Sequence, residues 1–362
     1  MMRVAVRIFH PEPEPAAGPL ESWLGAARAR LAQRHQAAFE AAGANDIRIE
    51  GGPPDGIPFG RRLRDVLPGL PAHGTRGLVV LGSGAIPLAT RADYRRLVDA
   101  ARGPAGTALA NNRYSADVVA IAGLAALRDL PDAITDNALP RWLADAAGYA
   151  VTGLRARSRL GLDLDSPLDL VLTSLAAGRP TGGQTPAWAP EPPATAGLGP
   201  VLDRLGRIRA VAADPGAELV VVGRTSAATL SWLERHAAAR VRALVEERGL
   251  KTGTADGRPP ASVLGALLDR DGPDALGAIL SRLGEAAILD TRVLLAHRLG
   301  RDERGWPAAE DRFASDLLLP GRVRDPWLRA LTAAAAGAPI PVLLGGHSLV
   351  GPGLHLVVGP GT

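Results

Sequence analysis

Cysteine is absent from the 362-residue chain. Its absence excludes a disulfide framework and a thiolate nucleophile. Lysine is nearly absent as well: Lys251, in GLKTGTADGRPP, stands alone. A P-loop needs a lysine directly after glycine and a kinase needs one on a strand, so neither is present. Schiff-base chemistry would have to use Lys251. Any phosphate must therefore be held by arginine, backbone N–H groups or a metal. Aromatic residues make up only 4%, and no basic cluster interleaves with them. Lys and Arg number 41 against 37 Asp and Glu, a formal net charge of +4. That balance gives no reason to expect nucleic acid as a partner. No apolar run reaches the length of a membrane span. The first residues, MMRVAVRIFHPEPEPAAG, lack the apolar centre of a secretion signal. A cytoplasmic protein with no membrane partner is expected.

What is present is an alternation of strand-like and helix-like segments. Hydrophobic residues reach 46%, ample for globular cores, and the length favours two domains. MRVAVRIF reads as a strand, ESWLGAARARLAQRHQAAFEAAG as a long helix ended by Gly43, and GLVVLGSG as a buried strand. TRADYRRLVDAAR reads as a helix capped by Thr90. TALANN and DVVAIAG read as a strand pair, and YAVTGL and LGLDLD as further strands. After residue 200, ELVVVGRTS, RVRALVEERG, EAAILD, IPVLLGGHSLV and LHLVVG are strand-like between helical stretches. Strands and helices in turn predict an α/β fold with largely parallel sheets. The Pro/Gly-rich stretch at 179–199 reads as a linker, between a first α/β domain at 1–178 and a second, smaller Rossmann-like α/β domain at 200–362.

Several stretches carry chemistry. In GLDLDSPLDL, Ser166, Pro167 and Asp169 spell a capped helix start. Asp163 and Asp165 precede the cap and alternate with Leu162 and Leu164, so both carboxylates leave one face. Such a pair could hold magnesium (Mg²⁺) beside a phosphate, or be a solvated polar face. Gly82, Ser83 and Gly84 end a Val/Leu strand, where open α/β sheets bind ligands; a plain turn would need glycine too. Asn111, Asn112, Ser115 and Asp117 crowd one turn that could read a base or sugar edge. Asparagine-rich hairpins look the same. Gly223, Arg224, Thr225 and Ser226 join a strand to a helix start, an anion cradle or a bare cap. Glu246 and Glu247 lie near the ribose spacing of a dinucleotide site, but the glycine fingerprint is missing. His347 and Ser348 adjoin on a glycine turn, yet neighbours in extended chain point apart and G-x-S-x-G is absent.

The first 176 residues or so resemble the nucleotidyltransferases with a GT-A-like fold, of the 2-phospho-lactate and molybdenum-cofactor guanylyltransferase kind. Ile86-Pro87-Leu88 and Thr90 match their strand-to-helix turn. Asp163, Asp165, Ser166, Pro167 and Asp169 match their Asp-x-Asp-(Ser/Thr)-Pro-x-Asp element. Where those families have a glycine-rich loop with Arg and Lys, this chain has HPEPEPAAG. Gly82 to Ala85 stand where a carboxylate is usual. The resemblance implies a GT-A-like, mostly parallel sheet and transfer of a nucleotidyl group from an NTP to a small phosphorylated or acidic acceptor. Asp163 and Asp165 would hold Mg²⁺, and Gly82 to Gly84 with Asn111 to Asp117 would touch the nucleotide. Two alternatives stay open. One is a non-catalytic ligand-binding or assembly protein on the same fold. The other is an enzyme whose site lies after residue 200, around Arg224, Asp290 and His347. Homo-oligomerisation also stays open.

Overall fold

The structure is a computed structural model that describes residues 3–53, 55–70, 75–154, 158–176, 186, 188–250 and 258–359. Lys251 and, within the 179–199 stretch, residues 179–185 and 187 lie outside the described residues. The protein is α/β. Its packing divides it into two compact units, one of Met1–Ala16 with Gly25–Asp163, the other of Ala17–Leu24 with Leu164–Thr362. No helix among the described residues is long and apolar enough to cross a membrane.

In the first unit the elements run β1 (Arg3–Pro11), α1 (Pro19–Ala41, here from Gly25 on), β2 (Asp46–Gly52), α2 (Phe59–Val66) and β3 (Thr75–Gly82). They continue as α3 (Arg91–Ala101), β4 (Thr107–Ala110), β5 (Val118–Ala122), α4 (Leu139–Asp145) and β6 (Ala150–Gly153). The sheet order is β2-β1-β3-β5-β4-β6, and only β5 runs against the rest. Alternation builds two cores. Val4, Val6, Ile8, Val79 and Leu81 pack on one face with Phe39 of α1 and Leu97 of α3. Ala5, Leu78, Val80 and Ile121 pack on the other with Leu63 of α2 and Leu143 of α4. The chain places β2 on one side of β1 and then β3 on the other. The strand order therefore reverses at the carboxyl ends of β1 and β3, where open α/β sheets leave a crevice.

Gly43 ends α1 as the sequence predicts. At φ +91° it lets Ala44 N donate to Phe39 O and Gly43 N to Glu40 O. His35 on α1 is buried, with Nε2 2.9 Å from Ala85 O and Nδ1 2.8 Å from Tyr94 Oη. A carbonyl can only accept, so Nε2 carries the proton and Nδ1 accepts from the tyrosine.

The second unit contains α5 (Pro167–Leu175), α6 (Gly199–Ala212), β7 (Glu218–Gly223), α7 (Ala227–His236), β8 (Arg240–Val245), α8 (Val263–Asp271), α9 (Leu276–Ser281) and β9 (Ala286–Asp290). It continues with α10 (Thr291–Leu299), α11 (Ala309–Asp316), α12 (Pro326–Ala336), β10 (Val342–Gly345), α13 (His347–Val350) and α14 (Pro352–Val358). Its sheet is smaller, ordered β10-β9-β7-β8 and wholly parallel. Here the order reverses between β7 and β9.

Three local expectations change. LGLDLD forms a single bridge, Ala85 to Asp163, because the Ser166-Pro167 helix start follows at once. GGHSLV turns helical at His347, directly after the short β10. LHLVV is helix α14, with Pro352 in its first turn and Gly359 beyond its end. Short apolar runs do not separate strand from buried helix by period alone.

Burial drives the His35 pKa from 6.5 down to about 3. The unfolded chain therefore takes up a proton below 6.5 that the folded protein refuses. This contribution to stability is present above 6.5 and is lost as the pH falls towards 3, on the order of 5 kcal/mol in full. Replacement by glutamine keeps a donor and an acceptor without a titrating ring. His35→Gln is expected to flatten the fall of melting temperature between about pH 6.5 and pH 4.5. An unchanged slope would contradict the assignment.

Candidate functional site

The carboxyl edge of the first unit gathers most of the residues singled out there from sequence. β3 delivers Gly82, Ser83 and Gly84 into a turn. Gly82 N donates to Asp117 O at 3.4 Å and Ser83 N to Phe9 O at 2.8 Å. Asn111 follows β4, and Asp117 precedes the reversed β5, so both stand at this same edge. The Ala85–Asp163 bridge brings Asp163 against the turn. Asp163 is half-buried, Asp165 is exposed, and Leu162 and Leu164 are buried, the alternation the sequence implies.

The side chains at this edge do unequal work. Asn111 is 6% exposed and serves the turn itself. Its Nδ2 donates to Asp117 Oδ2 and Leu160 O, both at 2.9 Å, and its Oδ1 accepts from Asp117 N at 3.0 Å. Asn112 Oδ1 accepts from Tyr114 N at 3.0 Å, and Ser115 Oγ lies 3.1 Å from Asn137 Oδ1. Asp117 stays half-buried at the rim.

Sequence reasoning passed over His10. It lies at the carboxyl end of β1, with Nδ1 3.0 Å from Ser83 Oγ. Burial first, then the charge of Arg28, holds its pKa below the usual value, against the opposing pull of Glu12. A histidine closing a strand-like run just before Pro11 was the available signal.

The turn from Gly82 to Thr90 carries backbone strain. Ile86 is buried at φ +44°, a conformation β-branched residues avoid. Arg34 clamps the same turn through Pro87 O at 2.6 Å and Ala89 O at 3.2 Å. Thr90 and Asp93 form a capping box at the start of α3, and Asp93 pairs with Arg159. A strained residue held this firmly is characteristic of ligand-contacting turns.

In the second unit the crevice between β7 and β9 is filled. Gly223 has φ +128°, and a Cβ there would lie 2.4 Å from Asp290 Cβ. Arg224 reaches Asp290 through Nε at 2.6 Å and Nη2 at 3.2 Å. Burial raises the Asp290 pKa, but Arg224, with His347 and Arg292, outweighs it and the net direction is down. Ser226 caps α7 by accepting from Thr229 N at 3.1 Å. Thr225 Oγ1 is buried with no hydrogen-bond partner among the described residues. Arg292 holds Asp316 at 2.5 and 2.7 Å. Glu246 caps α8, accepting from Val263 N at 2.6 Å and Ser262 Oγ at 2.7 Å. His347 and Ser348 are consecutive residues of α13, and consecutive helical side chains do not face each other.

Asp169 completes the capping box of α5, its Oδ2 accepting from Asp165 N at 2.9 Å and Ser166 N at 2.7 Å. Burial, and then the Asp165 carboxylate, push its pKa well above the ordinary value. No group of three or more His, Cys, Asp or Glu suited to a metal occurs among the described residues. Comparison with family models and with curated proteins gives no match.

Two outcomes test the buried charges. Arg292→Ala leaves the Asp316 carboxylate buried without its guanidinium, and should lower stability by about 3–5 kcal/mol in urea unfolding. Asp169→Asn keeps an accepting oxygen and removes the charge. Folded Asp169 is neutral at low pH and increasingly penalised as the pH rises through its raised pKa. The melting-temperature gain of the variant should therefore be larger at about pH 8 than at about pH 5. A loss that grows with pH would refute that sign.

Proposed function

We propose that the first unit is a GT-A-like nucleotidyltransferase domain and the second unit a separate α/β domain. The first would bind an NTP with Mg²⁺ at the carboxyl edge of β1 and β3. In the reaction, an acceptor oxygen forms a bond to the α-phosphorus while the bond to the bridging oxygen breaks, and pyrophosphate leaves. The observation that carries this reading is the gathering of Gly82 to Gly84, Asp117 and Asp163 where the strand order reverses. The mostly parallel sheet supports it too.

The residues fit a magnesium ion. Mg²⁺ takes oxygen ligands and commonly uses one or two carboxylates together with substrate phosphates. Asp163, at this edge of the first unit, would supply such an oxygen, and Asp165 follows it two residues along the chain. Bound there, the metal would neutralise charge on the phosphates. The protein's own part is to position, through the fastened Gly82–Thr90 turn and its backbone N–H groups.

A second reading is ligand binding without turnover. It is favoured by Asn111, whose donors and acceptor are already spent inside the protein.

The test is a thermal-shift panel of ATP, GTP, CTP and UTP, each with and without Mg²⁺. One nucleotide should raise the melting temperature in a Mg²⁺-dependent way, with a stabilisation of about 2.7 kcal/mol at a hundredfold excess over Kd. The combined change Asp163→Ala and Asp165→Ala should abolish the shift. No shift with any nucleotide overturns the proposal. A shift without release of pyrophosphate from the NTP, whichever acceptor is supplied, selects the second reading.

A further inference from the structure

The loop after β1 offers a triphosphate no lysine or arginine, and a triphosphate at the β1/β3 edge needs a cation. The helix that follows brings one to the same height. α1 returns the chain from the carboxyl edge to the amino edge, because β2 lies parallel to β1. Its far end is fixed beside Val4, where Asn45 N donates to Val4 O at 2.9 Å and Val4 N to Asn45 Oδ1 at 3.0 Å. From Ala41 back to Arg28 the helix rises about 20 Å. From Val4 to His10 the strand rises about 20 Å as well. Arg28 therefore stands level with His10.

It also stands on the correct side of the helix. Ala27, Leu31, Ala32, His35 and Phe39 form the buried stripe of α1, and Arg28 flanks it one turn before Ala32, half-buried. The field of Arg28 at the His10 ring is an independent sign that the two are close. Arg34, further along α1, reaches the carbonyls of Pro87 and Ala89.

We propose that Arg28 supplies the positive charge that holds the phosphates of the nucleotide at this edge, beside the hydrogen-bonded His10–Ser83 pair. The inference rests on the nucleotide reading above and adds to it a phosphate-binding residue carried by a helix instead of a glycine-rich loop. His10 Nδ1 orients the Ser83 hydroxyl, and Arg28 reads charge. Glu12 beside His10 and Asp163 on the turn would oppose a bare phosphate, so the arginine and the metal act together.

Full-length wild type, Arg28→Gln and Arg28→Lys would be titrated calorimetrically with MgGTP and MgATP, and with guanosine and adenosine. For the triphosphate that wild type binds, Arg28→Gln should raise Kd about tenfold, the loss of one charge-assisted hydrogen bond. Arg28→Lys should recover much of the affinity. Nucleoside binding and the melting temperature of the unliganded protein should stay near wild type. An unchanged triphosphate Kd in Arg28→Gln overturns the inference and leaves the nucleotide reading standing. Equal weakening of nucleoside and triphosphate overturns it too, since it marks Arg28 as structural. If wild type binds none of these compounds, nor MgCTP or MgUTP titrated in the same way, the nucleotide reading fails and the role of Arg28 falls with it.

Discussion

The hydrogen bond from His35 Nε2 to Ala85 O joins the first crossover helix to the turn that leaves β3. The turn needs that tie. It passes through Ile86 at φ +44°, and a β-branched residue does not hold such a backbone unless its surroundings fix it. Three restraints act within a few residues: the His35 ring on Ala85, the Arg34 guanidinium on Pro87 and Ala89, and the bridge from Ala85 to Asp163. A neutral imidazole suits the first. A lysine there would bring a charge into a fully buried position, and an aliphatic residue would leave the Ala85 carbonyl and the Tyr94 hydroxyl without partners. The geometry of Ser83 and Asp163 depends on these contacts, since both sit on the segments being tied.

The two sheets treat their carboxyl edges differently. Each reverses strand order beside its first strand, so each has the topological opening for a ligand. In the second unit that opening is occupied by the protein's own ions, with Arg224 across Asp290 and the Asp290 carboxylate fully buried. Arg292 and Asp316 repeat the arrangement nearby. A buried, bidentate pair is a poor ligand site, because a ligand would have to replace one partner and leave the other charged and dry. In the first unit the rim side chains His10, Asp117 and Asp163 are only half-buried. That contrast moves the functional reading to the first unit, although the Gly-Arg-Thr-Ser stretch of the second has the stronger local look of an anion cradle.

The α/β class was legible because crossover helices and Val-rich strands repeat along the chain. The start of α5 was legible to the residue, since Ser166, Pro167 and Asp169 each have one local reason to be there. Helix α14 was not, because LHLVV is too short for its period to choose between helix and strand, and tertiary packing decided it. The turn residues were legible as a group but not by task. Asn111 attracts attention as a polar residue, and only the fold reveals that it spends its amide on Asp117 and Leu160. His10 and Ser83 are far apart in sequence, as are Arg224 and Asp290. Pairings of that kind follow from strand order, which composition and periodicity do not encode.

The three carboxylates of GLDLDSPLDL end with three different environments, set by the backbone. Asp169 is drawn inside by the helix it caps, and burial makes it a weaker acid. Asp163 is held at a half-buried rim by its bridge to Ala85, and Asp165 stays in contact with water. Asp163 and Asp165 lie nearer the surface than Asp169, which is why the proposed cation is assigned to them and not to the capping residue. The capping aspartate thus has a local cause, and the two before it retain the chemistry. Since the chain has almost no lysine, whatever balances those carboxylates and a phosphate together must be a metal or an arginine carried by a neighbouring element. The helix that fastens the turn through His35 and Arg34 also carries Arg28, whose charge acts on His10, so one element would serve both the shape of this edge and its charge.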